Sequence, residues 1–169
     1  MNVRSKPNAL ARGVTLSLVL WLIATDASTA FATQRPPERW LPPLEAGLAL
    51  VEPFRAPPHA YGAGHRGIDL AAEPGASLRA PAGGVVSFVG SVVDRPVISV
   101  RVDAHTVYSI EPVSSALQRG DTIGIGSVIG TVGEGGHCEK RCVHLGVRVD
   151  DAYVNPMRYF VARPVLLPW

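Results

Sequence analysis

Val97-Ile98-Ser99-Val100-Arg101-Val102-Asp103-Ala104-His105-Thr106-Val107-Tyr108-Ser109-Ile110 contains two runs rich in β-branched residues, parted by Asp103-Ala104. Such residues fit a pleated surface, and a short polar break between two runs marks a turn. The stretch predicts strands at Val97–Val102 and Thr106–Ile110. Outward from it the pattern recurs at Val85–Val89, Val128–Val132 and Val143–Val149, with turn-like breaks at Pro81–Gly84, Asp94–Pro96 and Arg119-Gly120-Asp121. The 169 residues fit one domain, and 17 glycines with 15 prolines suit short strands and tight turns rather than helices. The expected fold is mainly β: a small antiparallel sheet folded over as a sandwich or barrel-like single domain. Two segments, Ala80–Val86 and Gly120–Gly130, each follow a turn with an apolar strand, a quasi-repeat common in such folds.

The N-terminus carries Arg4, Lys6 and Arg12, an apolar run from Val14 to Ala24, and small residues ending in Ala30-Phe31-Ala32. This order predicts a signal peptide over residues 1–32, cleaved after Ala32. An uncleaved anchor is the alternative, although the run is shorter than the roughly 18 to 20 residues a spanning helix needs. Residues 33–58 hold seven prolines, from Pro36 to Pro58, too many for a helix interior or a central strand. They form an extended lead-in, anchored by Trp40, Leu41 and Leu44. The main domain is expected over residues 59–161, followed by a tail at 162–169.

The whole chain has 16 basic and 14 acidic residues; without Arg4, Lys6, Arg12 and Asp26 the mature part has 13 of each. A neutral surface without a Lys/Arg run offers little counterion release, which argues against nucleic acid as a partner. Polybasic membrane binding fails for the same reason, so no membrane partner is expected after cleavage. Cys138 and Cys142 stand as C-x-x-x-C in a chain read as exported, where a local disulfide is the default. Ligation of a metal by both thiolates is the alternative; the second Cys/His pair that usually accompanies it is absent.

Chemistry is concentrated in Gly64-His65-Arg66-Gly67-Ile68-Asp69-Leu70. A His and an Asp four apart, leading into an apolar strand, can bring an imidazole nitrogen and a carboxylate oxygen to one cation such as Zn²⁺. As a bare spacing, H-x-x-x-D also describes a surface ion pair or a turn cap. Read together with Ala80-Pro81-Ala82-Gly83-Gly84-Val85-Val86, the Gly120–Gly130 segment, Val143-His144-Leu145-Gly146-Val147 and Tyr153-Val154-Asn155-Pro156-Met157, it resembles the M23 family. These are the lysostaphin-like and LytM-like zinc metallopeptidases. The resemblance runs from about Leu44 to Phe160 and keeps the motif order.

The resemblance implies a LytM-like, duplicated hybrid motif-like fold, a zinc cofactor and action on peptide cross-links of peptidoglycan. In that family zinc is held by the His and Asp of H-x-x-x-D, matched by His65 and Asp69, and by the second His of an H-x-H strand. The first His of H-x-H is catalytic, and His144 matches it, which puts Gly146 at the third ligand position. His144 shares a strand face with residue 146 but lies roughly 6 to 7 Å away, so turning it to the metal would need a shift of register. A second catalytic His belongs to a Tyr-x-His strand; here Tyr108-Ser109-Ile110 stands there. His105 is the nearest imidazole, but strand alternation turns it to the other face, and it reads as a surface or turn histidine.

His137, in Gly135-Gly136-His137-Cys138, is the available further metal ligand, in a loop that a Cys138–Cys142 disulfide could fix; a solvated loop histidine is the alternative. His59, Tyr61 and Glu111 are candidates for groove walls, with ordinary loop or packing roles as the alternative. Trp40, Phe54 and Phe88 read as packing residues. Two functions follow from this site. One is a secreted or cell-envelope metalloendopeptidase, expected as a monomer; the other is a pseudoenzyme that binds wall peptide or activates a partner hydrolase. A swinging-arm carrier needs an exposed hairpin lysine, and Lys6 and Lys140 are the only lysines, which argues against that class.

Overall fold

A computed structural model describes residues 39–59, 61–138 and 141–160. The expected signal peptide (1–32), the start of the lead-in (33–38), the tail (162–169) and Lys140 lie outside the described residues. The described chain is built from short strands: β1 (Leu50–Glu52), β2 (Gly67–Ala71), β3 (Ser77–Arg79), β4 (Gly84–Val92), β5 (Arg95–Arg101), β6 (Thr106–Glu111), β7 (Val113–Ser114), β8 (Thr122–Ile123), β9 (Val128–Val132), β10 (Cys142–Val149) and β11 (Ala152–Val154). Short 3₁₀ turns at Gly136–Cys138 and Pro156–Tyr159 are its only helical pieces among the described residues. An eight-stranded sheet runs β1-β2-β10-β6-β5-β4-β8, with β11 also on β10, and a three-stranded sheet runs β3-β9-β7. Both are antiparallel throughout.

Strand alternation gives the large sheet one dry face. Ile68 and Leu70 of β2, Val143, Leu145 and Val147 of β10, Tyr108 and Ile110 of β6, and Ile98 and Val100 of β5 are fully buried there. Leu78, Val113, Ile129 and Val132 of the small sheet join the same cluster. Burying each such side chain contributes about 1.5–3 kcal/mol, which makes this cluster the main source of stability. The Tyr108 hydroxyl donates to the Ala82 carbonyl, and burial pushes its pKa well above the usual tyrosine value.

The lead-in contributes to the core as well as preceding it. Trp40 stacks on Tyr159 at 4.2 Å between ring centroids and meets Tyr108 edge-on at 5.5 Å, while Leu44 is buried beside them. Leu41, expected as an anchor, is instead exposed. Leu50–Glu52 supplies the edge strand β1, a sheet position that flanking prolines tolerate. Two other details differ from the sequence reading. The Gly120–Gly130 segment splits into β8 and the start of β9, because Gly124–Ser127 makes its own turn, with the Ser127 N–H donating to the Gly124 carbonyl. The turn expected at Asp94–Pro96 lies one residue earlier, at Val93-Asp94, leaving Arg95 and Pro96 inside β5.

Candidate metal centre and its groove

The other face of the large sheet carries the polar residues. Register places Asp69 of β2, His144 of β10 and Glu111 of β6 in one row across three adjacent strands. The next row is Gly67, Gly146, Ser109 and Ser99. His65 precedes β2 and is fixed by backbone hydrogen bonds in both directions with Arg55. The sequence spacing H-x-x-x-D works here because His65 reaches from this bridge to the row that begins at Asp69.

Three ligand atoms converge. Asp69 Oδ1 lies 3.1 Å from His65 Nε2 and 2.7 Å from His144 Nδ1, and the two nitrogens are 3.1 Å apart. Asp69 is only 2% exposed and His65 only 9%, so the cluster is largely screened from water. Burial by itself would raise the Asp69 carboxyl, but hydrogen bonds from His144 and His137, with the charge on those rings, bring it below the usual carboxylate value. His65 Nδ1 donates to the Pro53 carbonyl at 2.8 Å. A carbonyl can only accept, so Nδ1 carries a proton, and Nε2 is the ring atom that faces Asp69 and His144.

A lone pair facing a carboxylate oxygen repels it unless a proton or a cation sits between them. Tetrahedral zinc with bonds of roughly 2.0–2.1 Å sets neighbouring ligand atoms about 3.3 Å apart. The three observed separations are each within about 0.6 Å of that value, so the donor set and its spacing fit such an ion. The outer hydrogen bond from His65 to Pro53 is the kind that orients a metal-binding imidazole.

His137 comes to the cluster from outside the sheet. Its Nε2 lies 3.0 Å from Asp69 Oδ2, the oxygen that His65 and His144 do not use. Its side chain is 51% exposed, against 12% for His144. The disulfide Cys138–Cys142 ties the 3₁₀ turn bearing His137 to the first residue of β10, and the Arg141 N–H donates to the Cys138 carbonyl. The Cys138–Cys142 pairing expected from the sequence is therefore present. All four residues, His65, Asp69, His137 and His144, place one ligand atom each within 4.8 Å of the others.

No shift of register is needed for His144 to reach Asp69, because the two residues are direct cross-strand partners. Two glycines lie against the ring, and Gly67 is the one whose missing side chain makes room for it. A Cβ on Gly67 would collide with the Leu145 carbonyl oxygen and come within 2.5 Å of His144 Nε2. Gly146 is buried, and a Cβ there would touch His144 Nε2 and Tyr153 Cε1, each at 3.6 Å. A side chain at position 146 would therefore start in contact with the His144 and Tyr153 rings.

The other expected positions divide by strand parity. Ile110 faces the core and is fully buried, whereas its neighbours Ser109 and Glu111 line the groove. Glu111 accepts from Arg95 Nε at 2.8 Å and is held beside His144. His105 lies away from the cluster, with Nδ1 2.6 Å from Asp150 Oδ1. Tyr61 projects into solvent, His59 borders a different hollow, and Phe88, read as a packing residue, is exposed on the groove wall. Sequence reasoning missed Arg95, Ser99 and Tyr153 as lining residues. The alternation of β5 could have revealed Ser99, but nothing local marks Tyr153. The groove encloses about 560 Å³.

The model of peptidase family M23 matches residues 63–156, which includes the whole cluster. This chain belongs to peptidase family M23. Among its relatives by sequence, the uncharacterized protein Rv3786c of Mycobacterium tuberculosis is 35% identical over 137 residues, covering 75% of this chain and 33% of that protein. The uncharacterized protein Rv2891 of the same organism is 32% identical over 131 residues, covering 74% of this chain and 53% of the relative. The chain thus spans from a third to about half the length of these curated relatives. The catalytic domain of a mutant of the prophage-encoded M23 protein EnpA from Enterococcus faecalis superposes with a TM-score of 0.60 at 25% identity, covering 71% of this chain and 97% of that one. SpoIIQ–SpoIIIAH, described as a pore-forming complex, gives a TM-score of 0.61 at 20% identity, covering 73% of this chain and 92% of the matched one, a likeness of fold.

Proposed function

We propose that this M23 domain is a zinc-dependent endopeptidase acting outside the cytoplasm, as a secreted or envelope protein, on the peptide cross-links of peptidoglycan. The observation that carries the reading is the triangle of His65 Nε2, Asp69 Oδ1 and His144 Nδ1. On this reading His144 holds the metal, and Cys142-Val143-His144 is the counterpart of H-x-H, with Cys142 at its first position. The exported state rests on the signal peptide expected at residues 1–32.

A bound zinc ion would polarise the scissile carbonyl and make water more acidic. His65, Asp69 and His144 would hold the ion through the atoms named above. With His144 so engaged, His137 Nε2 takes the part of the proton carrier, since it reaches the cluster while half of its side chain stays in contact with solvent. The Glu111 carboxylate, locked by Arg95, accepts a hydrogen bond from a substrate N–H or from water at the same row. Ser99 and Ser109, whose hydroxyls are 2.7 Å apart, offer a small polar patch against which a peptide backbone can lie.

A second reading, a non-cutting member that binds wall peptide or a partner hydrolase, is favoured by Ile110, which leaves the groove without an imidazole on β6. The SpoIIQ–SpoIIIAH complex is an instance of this fold within a protein assembly. Metal analysis of the purified mature chain, combined with turbidity loss on purified peptidoglycan, separates the two readings. One zinc per chain with release of soluble peptide supports the peptidase; one zinc without release supports the binding role.

A further inference from the structure

The groove continues past the metal cluster. Beyond Gly146, β11 replaces β2 as the partner of β10, and Tyr153 comes opposite Arg148. His144 Nε2 and Tyr153 Cε1 approach the same point above Gly146, so the cluster and the Tyr153 ring are neighbours across this glycine. The guanidinium carbons of Arg66 and Arg148 each lie 5.9 Å from the Tyr153 ring centroid, within cation–π range. Arg66 Nη2 also donates to the Gly62 carbonyl at 3.1 Å, which orients that side chain from behind. Arg148 meets Asp151 Oδ1 at 3.9 Å; that carboxylate is 99% exposed, a long surface contact that competes weakly for the guanidinium. The groove lining includes Arg55, Arg66, Arg95 and Arg148 against Glu52 and Glu111, an excess of cations that favours an anionic ligand.

Guanidinium is the side chain best suited to a planar carboxylate, which it can grip through two parallel hydrogen bonds. We propose that Arg66 and Arg148, gathered on Tyr153, form a carboxylate-binding subsite of this groove. The peptide preferred there carries a free carboxylate a few residues from the amide presented to the histidine–aspartate cluster. Along β10, His144 and Arg148 are roughly 13 Å apart at their backbones, a span that an extended peptide covers in about four residues. The inference rests on the peptidase reading for the identity of the groove, but it concerns binding and not cutting.

The test is an NMR titration of the zinc-free and zinc-loaded protein with two probes, acetyl-tetra-alanine and its C-terminal amide. The free acid should bind at least fivefold more tightly than the amide in both forms, with the largest shift changes at Tyr153. The double variant Arg66→Gln/Arg148→Gln should lose this preference while keeping its zinc content. Arg148→Lys, which keeps the charge but not the paired donors, should retain part of it. Equal affinities for the two probes, no measurable binding of either at millimolar concentration, or a preference that survives in the double variant would each overturn the proposal. A protein that shows the preference yet releases no peptide from peptidoglycan would keep this subsite and defeat the peptidase reading alone.

Discussion

Along β10 the residues Val143, Leu145 and Val147 are fully buried against the core, while Cys142, His144, Gly146 and Arg148 alternate with them on the groove side. The same alternation divides β6, where Tyr108 and Ile110 go to the core and Ser109 and Glu111 to the groove. One backbone thus serves two different physical demands. The core face needs volume and tolerates exchange among apolar residues of similar size. The groove face needs donor atoms at fixed separations, and at Gly67 it uses glycine where a side chain would crowd them. Stability and metal binding should therefore respond to different halves of one strand.

The largest separation is expected between neighbours on β10. His144→Ala should weaken zinc binding by more than about 100-fold, beyond what loss of an outer hydrogen bond costs, and leave the melting of the metal-free protein nearly unchanged. Leu145→Ala should do the reverse, lowering the unfolding free energy by about 2–5 kcal/mol with zinc stoichiometry intact in the folded fraction. Chemical denaturation combined with metal analysis of both variants checks the pair; a similar loss of stability in each would erase the distinction between the faces.

A finer test concerns the glycines. Gly146→His adds the imidazole that the sequence pattern lacks, yet the space above Gly146 already contains His144 and Tyr153. Zinc affinity should fall about 10- to 100-fold, as when an orienting contact is lost; tighter binding or newly acquired hydrolysis would mean that residue 146 is the true third ligand seat. Opening the Cys138–Cys142 disulfide by Cys138→Ser/Cys142→Ser should cost about 2 kcal/mol of stability. In the same variant peptide release should slow with zinc stoichiometry unchanged, because the loop that brings His137 to Asp69 loses its tether. Retained turnover in that variant would remove His137 from the reaction.

The smallest effect lies far from the groove. His105 shares a proton with Asp150, and this exposed hydrogen bond, reinforced by the carboxylate charge, raises its pKa above the ordinary 6.5. The pair's small contribution is present in full below the unfolded histidine value and is lost as pH rises through the higher folded value. An NMR titration should give His105 a midpoint above 6.5, and Asp150→Asn should bring it down; a midpoint at or below the ordinary value would contradict the contact.

Much of this architecture was legible in the sequence because alternation is a local signal. The strands around Val97–Val102, Thr106–Ile110, Val128–Val132 and Val143–Val149 appear within a residue or two of their expected limits. Strands of two or three residues such as β3, β7 and β8 were not readable, since so few residues carry no period and the pairing comes from distant partners. At the site, His65 and Asp69 were legible from their spacing. The position of His144 relative to them was not, because cross-strand register is set by the whole sheet, and motif matching counts only along the chain. His137 was visible as a candidate through its place beside Cys138. The meeting of Tyr153 with Arg66 and Arg148 depends on β11 taking over from β2, which no local pattern announces.

The assignment of His144 to the ion and of His137 to the proton can be separated in one measurement: zinc per chain in the purified protein and in the His144→Ala and His137→Ala variants. The triangle of His65, Asp69 and His144 predicts one zinc in the parent chain and in His137→Ala, and close to none in His144→Ala. Zinc retained without His144, or lost without His137, would contradict it.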